Sequence, residues 1–214
     1  MIPTGCFGID KLLGGGISKK VITQVYGGPA TGKTNLCLIT AYSAAKIGKK
    51  VLFVDTEGSF HEKRVSQIFE DKRLLKKIHV AEIHSFEEQK NFLTNLKSRF
   101  DLVIVDSMTS LYRVERKEEN YQRLTKDLEK LLEILLEYAR KNNAAVIITN
   151  QVYQNLETKK IEPVGGELLK YYSKVILEMK KEGKKRVIRL VKHFMKKDNE
   201  EKEFEIVKHG IICE

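Results

Sequence analysis

Along most of the chain, short unbroken apolar runs alternate with longer stretches whose apolar residues recur every three or four positions. The runs are VITQVY (Val21 to Tyr26), KVLFVD (Lys50 to Asp55), DLVIVD (Asp101 to Asp106) and AAVIITN (Ala144 to Asn150). They lack the polar alternation of a strand with one wet face, so each reads as a strand covered on both sides. IHVAEIHS (Ile78 to Ser85) reads as a weaker strand. From Lys33 to Ile47, the positions of Leu36, Leu38, Ile39, Tyr42, Ala45 and Ile47 suit a helix ended by Gly48. Ser85 and Glu88 form an S-x-x-E capping box that opens a helix toward Arg99. A long amphipathic helix covers Glu118 to Asn142, with Leu124, Leu128, Leu131, Leu132, Leu135 and Tyr138 on its buried stripe. Doubly buried strands alternating with helices specify an α/β fold, a largely parallel central sheet flanked by helices.

After Lys170 the pattern changes. KVILEMKKEGKKRVIRLVKHF reads as two strands around a Glu182-Gly183 turn, and FEIVKHGII as a last strand. These segments are short, alternating and studded with lysine, as in an antiparallel extension at a sheet edge. No Pro/Gly/Ser-rich linker divides the 214 residues, so residues 1–214 are expected to form a single domain.

The charge balance adds a choice of partner. A net charge of +10 favours an anion such as nucleic acid, but it also suits a lysine-rich solvated surface. Cys6, Cys37 and Cys213 are scattered, odd in number and without metal-ligand spacing; Cys37 falls inside a helical apolar pattern, as a small buried hydrophobe in a reduced compartment does. No segment has the ~18 apolar residues of a membrane span, and the start of the chain has no basic leader. A soluble, cytoplasmic protein is expected.

The junction after the first strand carries the chemistry. Gly27, Gly28, Pro29, Ala30, Thr31, Gly32, Lys33 and Thr34 satisfy G-x-x-x-x-G-K-[ST] and lead through Asn35 into a helix. Glycines let consecutive N–H groups turn inward on phosphate oxygens, and the helix N-terminus faces the same anion. Lys33 is expected to reach the β/γ-phosphates and the Thr34 hydroxyl to ligate Mg²⁺. Asp106, at the end of LVIVD, suits the Walker B carboxylate near that metal, although alone it also reads as a cap. Asp55 and Glu57 follow VLFV, where a carboxylate can activate the attacking water or hold a turn. Asn150 and Gln151 end the last apolar strand, where an amide can sense the γ-phosphate or cap a loop.

These residues resemble the RecA/RadA recombinase family from Thr4 to Ile212. TGCFGIDKLLGGGI looks like the segment leading into its ATPase core. DTEGSFHEKRV resembles its catalytic-glutamate segment, which implies Glu57 as the base and Arg64 near the adenine. VDSMTSLYR resembles the Walker B segment before a first DNA-binding loop near Val114 to Asn120. AAVIITNQV brings Gln151 to a second loop near Val152 to Pro163, whose exit EPVGGELL resembles. The resemblance implies a RecA-like P-loop ATPase core, with Glu57, Lys33 and Gln151 catalytic and Thr34 and Asp106 on the metal. ATP and Mg²⁺ are the implied cofactors.

Arg113, Arg116, Lys117, Lys159 and Lys160 are then expected on DNA phosphates, with Tyr112 and Tyr153 stacking on bases. Each basic residue also suits a solvated loop rim. The chain opens almost at the core, its second loop VYQNLETKKIEP is short, and Phe194 to Asn199 does not map onto the segment that caps a neighbour's ATP. Core-only archaeal paralogues of the recombinases look like this. The resemblance implies an accessory protein of recombination and repair, a weak DNA-dependent ATPase. It is expected to act on DNA, single-stranded in the first instance, beside a RadA-type recombinase, as a monomer or small oligomer. A KaiC-like signalling ATPase shares TGCFGIDKLLGGG and stands as the alternative. No Asn-Lys-x-Asp motif supports a GTPase.

Overall fold

The computed structural model describes residues 1–154, 161–183 and 185–213. Its elements in chain order are α1 (Phe7–Leu13), β1 (Ile22–Gly27), α2 (Lys33–Lys46), β2 (Val51–Asp55), α3 (Glu62–Ile68), β3 (Ile78–Glu82), α4 (Phe86–Thr94), β4 (Leu102–Asp106) and α5 (Ser110–Glu115). There follow α6 (Tyr121–Asn142), β5 (Ala145–Asn150), β6 (Val152–Gln154), β7 (Ile161–Pro163), α7 (Gly166–Tyr172), β8 (Ser173–Glu182), β9 (Lys185–His193), β10 (Glu201–Val207) and β11 (Gly210–Ile212).

Among the described residues one large sheet runs β11-β10-β9-β8-β1-β5-β4-β2-β3, and β6 and β7 form a small antiparallel pair beside it. From β3 through β1 to β8 every pairing is parallel. From β8 outward to β11 every pairing is antiparallel. Alternate residues of one strand enter two different cores, which is why its apolar run has no polar gaps. Val51 and Phe53 of β2 pack with α2, whereas Leu52 and Val54 pack with α4 and α6. Ile104 and Val105 of β4 divide the same way.

Among the element boundaries that differ from the sequence expectations, β3 ends at Glu82 rather than Ser85, and three others have clear local causes. α6 starts at Tyr121 after a 3₁₀ turn over Glu118–Asn120, because Asn120 pins that turn. Its side chain accepts from the Lys117 N–H at 2.8 Å and donates to the Glu115 carbonyl at 2.9 Å. The expected leucine stripe is buried throughout. α4 is capped by Ser85 as expected but stops at Thr94; the chain then turns so that the Phe100 N–H meets the Tyr138 hydroxyl at 2.7 Å. FEIVKHGII is a β10–β11 hairpin rather than one strand, closed by the Val207–Gly210 pair. Gly210 (φ +127°) has no side chain because a Cβ there would run into Ile39 of α2.

β8 pairs parallel with β1 from Ser173 to Met179, so the expected antiparallel edge begins with its pairing to β9. The cysteines are a further correction. Cys37 is a free, buried thiol, but Cys6 and Cys213 form a disulfide between the two ends of the described chain. A separation of 207 residues hides that proximity from any reading of spacing. No helix among the described residues is long and apolar enough to cross a membrane.

Candidate nucleotide-binding site

β1 ends at the centre of the sheet, and the glycine loop carries the chain from it into α2. Gly27 passes so close to the Met179 carbonyl of β8 that no side chain fits there. Thr31 Oγ1 donates to the Gly28 carbonyl at 2.9 Å and closes the loop. Gly32 caps α2 at φ +115°, with Ile206, Met179 and Phe204 packed where its Cβ would be. The result is a cavity of about 520 Å³ over the N-terminus of α2, a size suited to a small anionic ligand.

Lys33 Nζ lies across the mouth of the loop and donates to the carbonyls of Gly27 and Gly28, each at 2.9 Å. Burial pulls its pKa below the usual lysine value, while the charges of Asp106 and Glu57 pull it back up. Thr34 Oγ1 donates to Asp106 Oδ2 at 2.8 Å. Ser59 Oγ donates to the same oxygen at 2.9 Å, and Thr149 Oγ1 donates to Oδ1. A hydroxyl and a carboxylate oxygen in contact at the foot of the glycine loop fit Mg²⁺, a cation that takes one or two protein oxygens and fills its octahedron with other oxygen ligands. Among the described residues no cluster of His, Cys, Asp and Glu suggests an all-protein metal cage.

The second wall is built from the loops after β2 and β5. Asp55 is a turn carboxylate: its Oδ1 accepts from the N–H groups of Glu57 and Ser59 at 3.1 and 2.9 Å, and its Oδ2 from Phe60 N–H at 2.8 Å. That turn presents Glu57 to the cavity. Gln151 Nε2 donates to Glu57 Oε1 at 2.8 Å, and Arg113 Nη1 donates to Gln151 Oε1 at 3.2 Å. The two terminal amides separate cleanly. Asn150 is buried, accepting from Thr109 Oγ1 at 2.6 Å and donating to the Val164 carbonyl at 2.7 Å, so only Gln151 faces the cavity.

Arg64 lies beside Asn35 at the start of α2. Its guanidinium donates to Asn35 Oδ1 at 2.8 Å and to the carbonyls of Val207 and Lys208, each at 3.0 Å, so it ties α3 to the β10–β11 turn.

Among the expected DNA contacts the structure makes two corrections. Tyr112 is not a stacking platform: α5 turns its ring inward, where it is 2 % exposed and packs edge-on against Phe86, and its hydroxyl meets Thr125 Oγ1 at 3.1 Å. Arg113, the next residue round that helix, faces the cavity instead of an outer loop. The exposed aromatic that the sequence reading missed is Tyr121, whose ring lies 5.5 Å from the Arg116 guanidinium. Its signal was its place at the head of the long helix just after Arg116 and Lys117. Tyr153 on β6 is exposed and donates to Glu162 Oε2 at 3.2 Å. Its phenol is raised by desolvation and by Glu162, and it also feels the charge of Arg116. Lys159 and Lys160 lie outside the described residues. Arg186 and Ile206 also line the cavity and were not anticipated.

Residues 1–214 match the Rad51 family, and the chain belongs to it. The DNA repair and recombination protein RadB of Methanosphaera stadtmanae is 40% identical over 224 residues, covering 99% of this chain and 95% of that one. RadB of Archaeoglobus fulgidus is 39% identical over 217 residues, covering 99% and 97%. The crystal structure of the RadB recombinase matches with a TM-score of 0.85 at 36% identity, covering 99% of both chains. These likenesses set aside the signalling-ATPase alternative.

Proposed function

We propose that this Rad51-family chain is an ATP- and DNA-binding accessory protein of homologous recombination and DNA repair, with a weak ATPase, working beside a RadA-type recombinase. The observation that carries this reading is the Glu57–Gln151 contact across the cavity from the Lys33, Thr34 and Asp106 cluster. A phosphate cradle, a metal-suited pair and a carboxylate that can accept a proton are the parts of a nucleotide hydrolase.

Backbone N–H groups of Gly32 to Asn35 bind the phosphates, and Lys33 leaves the carbonyls of Gly27 and Gly28 for the β/γ oxygens. Thr34 and Asp106 hold Mg²⁺, which when bound neutralises charge on the transferred phosphoryl group. Glu57 orients a water and takes its proton. Gln151 reads whether the terminal phosphate is present and passes that state to β6 and β7 at its back. Arg116, Lys117, Tyr121 and Tyr153 offer cations and rings to a single strand, a combination that binds with little base preference.

In the single chain Pro29, Ala30 and Glu57 remain exposed. Water then reaches the side where fixed dipoles give most of the rate, which supports slow turnover by the protein alone; a monomer or small oligomer belongs to the same proposal. ATP turnover measured with and without single-stranded DNA, alongside light scattering, tests the reading. Turnover absent under both conditions, or long filaments formed by the protein alone, would refute those parts of it.

A further inference from the structure

Of the cations lining the cavity among the described residues, Lys33 and Arg113 have hydrogen-bond partners and Arg186 does not. Arg186 stands on β9, opposite Phe204 of β10 and Lys181 of β8. Further along its own face come Ile188 and Leu190, both fully buried against the α2 side of the sheet. That alternation calls for another apolar residue at position 186. An arginine ends the stripe instead, beside Gly32 and Ile206.

Its Nε is closed off from solvent without a hydrogen-bond partner, and no carboxylate among the described residues pairs with its guanidinium. Its neighbours on the strands behave differently: Lys185 pairs with Glu203 and Arg189 with Glu201. A donor shut away from water without an acceptor is costly, and a bound anion would complete it. The guanidinium fork suits two phosphate oxygens at once.

The strand order says which oxygens. Glu57 follows β2, Asp106 ends β4 and Gln151 follows β5, so the groups suited to the bond-breaking end all lie on the β5 side of β1. Arg186 approaches from the other side, across β8. We propose that Arg186 grips the phosphates that are not transferred, from the flank opposite Glu57 and Gln151. It thereby holds nucleoside di- and triphosphates equally, in its own chain. This rests on the nucleotide-site reading above.

The test is calorimetric titration of the full chain with Mg-ADP and with a non-hydrolysed Mg-ATP analogue, for the wild type, Arg186→Ala, Arg186→Lys and Lys33→Ala. Arg186→Ala is expected to weaken both nucleotides by the same factor, roughly 10- to 100-fold, as loss of a charge-assisted contact does. Turnover at saturating ATP stays within about 3-fold, because an interaction equal in ground and transition states moves KM and not kcat. Arg186→Lys restores part of the affinity. Without nucleotide, the melting temperature of Arg186→Ala is unchanged or higher, since an unpartnered cation has been removed.

A loss confined to the triphosphate overturns the assignment, because it places Arg186 on the transferred phosphate. A lower melting temperature without nucleotide, with affinities unchanged, overturns it in favour of a packing role. Unchanged affinities while Lys33→Ala abolishes binding overturn it and leave the nucleotide site standing. A wild type that binds neither nucleotide overturns both.

Discussion

Gln151 Nε2 donates to Oε1 of Glu57 at 2.8 Å, so the carboxylate suited to activate water is tethered to the residue at the foot of β6. Anything that moves β6 and β7 moves that tether. Gln151→Ala is expected to keep nucleotide affinity within a few-fold, to lower turnover because Glu57 loses its tether, and to lose the response to single-stranded DNA. Turnover of the variant with and without DNA checks this; full stimulation in the variant means that the tether carries no signal.

Glu57→Gln keeps the shape and the contact with Gln151 but cannot take a proton. ATP is expected to bind with near wild-type affinity while turnover falls by roughly 10²-fold or more. Hydrolysis at the wild-type rate would assign the base to another residue.

Lys33→Ala removes the ammonium that lies on the Gly27 and Gly28 carbonyls. Nucleotide affinity is expected to drop by roughly 10²-fold or more. The fold should survive, because water can reach the two loop carbonyls once the side chain is gone. Circular dichroism and equilibrium binding on the same sample measure both.

Two tyrosines nine residues apart in sequence are expected to behave oppositely. Tyr121→Ala removes an exposed ring beside Arg116 and should cost about 1–3 kcal/mol of single-strand affinity with little change in stability. Tyr112→Ala empties a buried site against Phe86 and should cost about 3–5 kcal/mol of folding free energy. Arg116→Ala with Lys117→Ala should flatten the log–log salt slope of binding by about 1.4, for two phosphate contacts. Fluorescence anisotropy across a salt series, with urea melts, separates the three.

Alkaline stability should carry the mark of Tyr26. Burial, and then the charge of Glu178, push its phenol up to about 12. A pKa raised in the folded state adds stability that is fully present below the unfolded value near 10 and is lost as pH climbs from there through about 12. Tyr26→Phe should lessen the fall of the urea midpoint across that window. An identical fall in the variant would assign the alkaline limb to other groups.

The glycine loop and the large helix were legible because each depends on residues adjacent in the chain. The tight loop between β1 and α2 is made by consecutive residues, so Gly27 to Thr34 is a contiguous string. The stripe from Leu124 to Tyr138 follows from 3.6-residue spacing, which ordinary sequence order preserves. The doubly buried strands were equally plain, since a run such as LVIVD has no polar face to hide. Asp106 could be placed because the end of such a strand in an α/β sheet is where a site opens.

Chemistry and spacing alone left choices between neighbours open, and only the family resemblance favoured Glu57 over Asp55 and Gln151 over Asn150. Members of each pair have similar chemistry, as do Tyr112 and Tyr121, and which of them meets the cavity or the solvent depends on the direction of one Cβ. That direction follows from turn geometry, helix phase and strand register. Asp55 holds a turn, Asn150 reaches Val164, and α5 rotates Tyr112 into the core. The Cys6–Cys213 pairing and the place of Arg186 lay further out of reach. Both depend on β8 joining β1 in parallel, which brings the last antiparallel strands alongside a loop more than 150 residues earlier in the chain. Local spacing determines which segments become strands, helices and a glycine loop; only the order and register of strands in the finished sheet decide which distant side chains share a cavity.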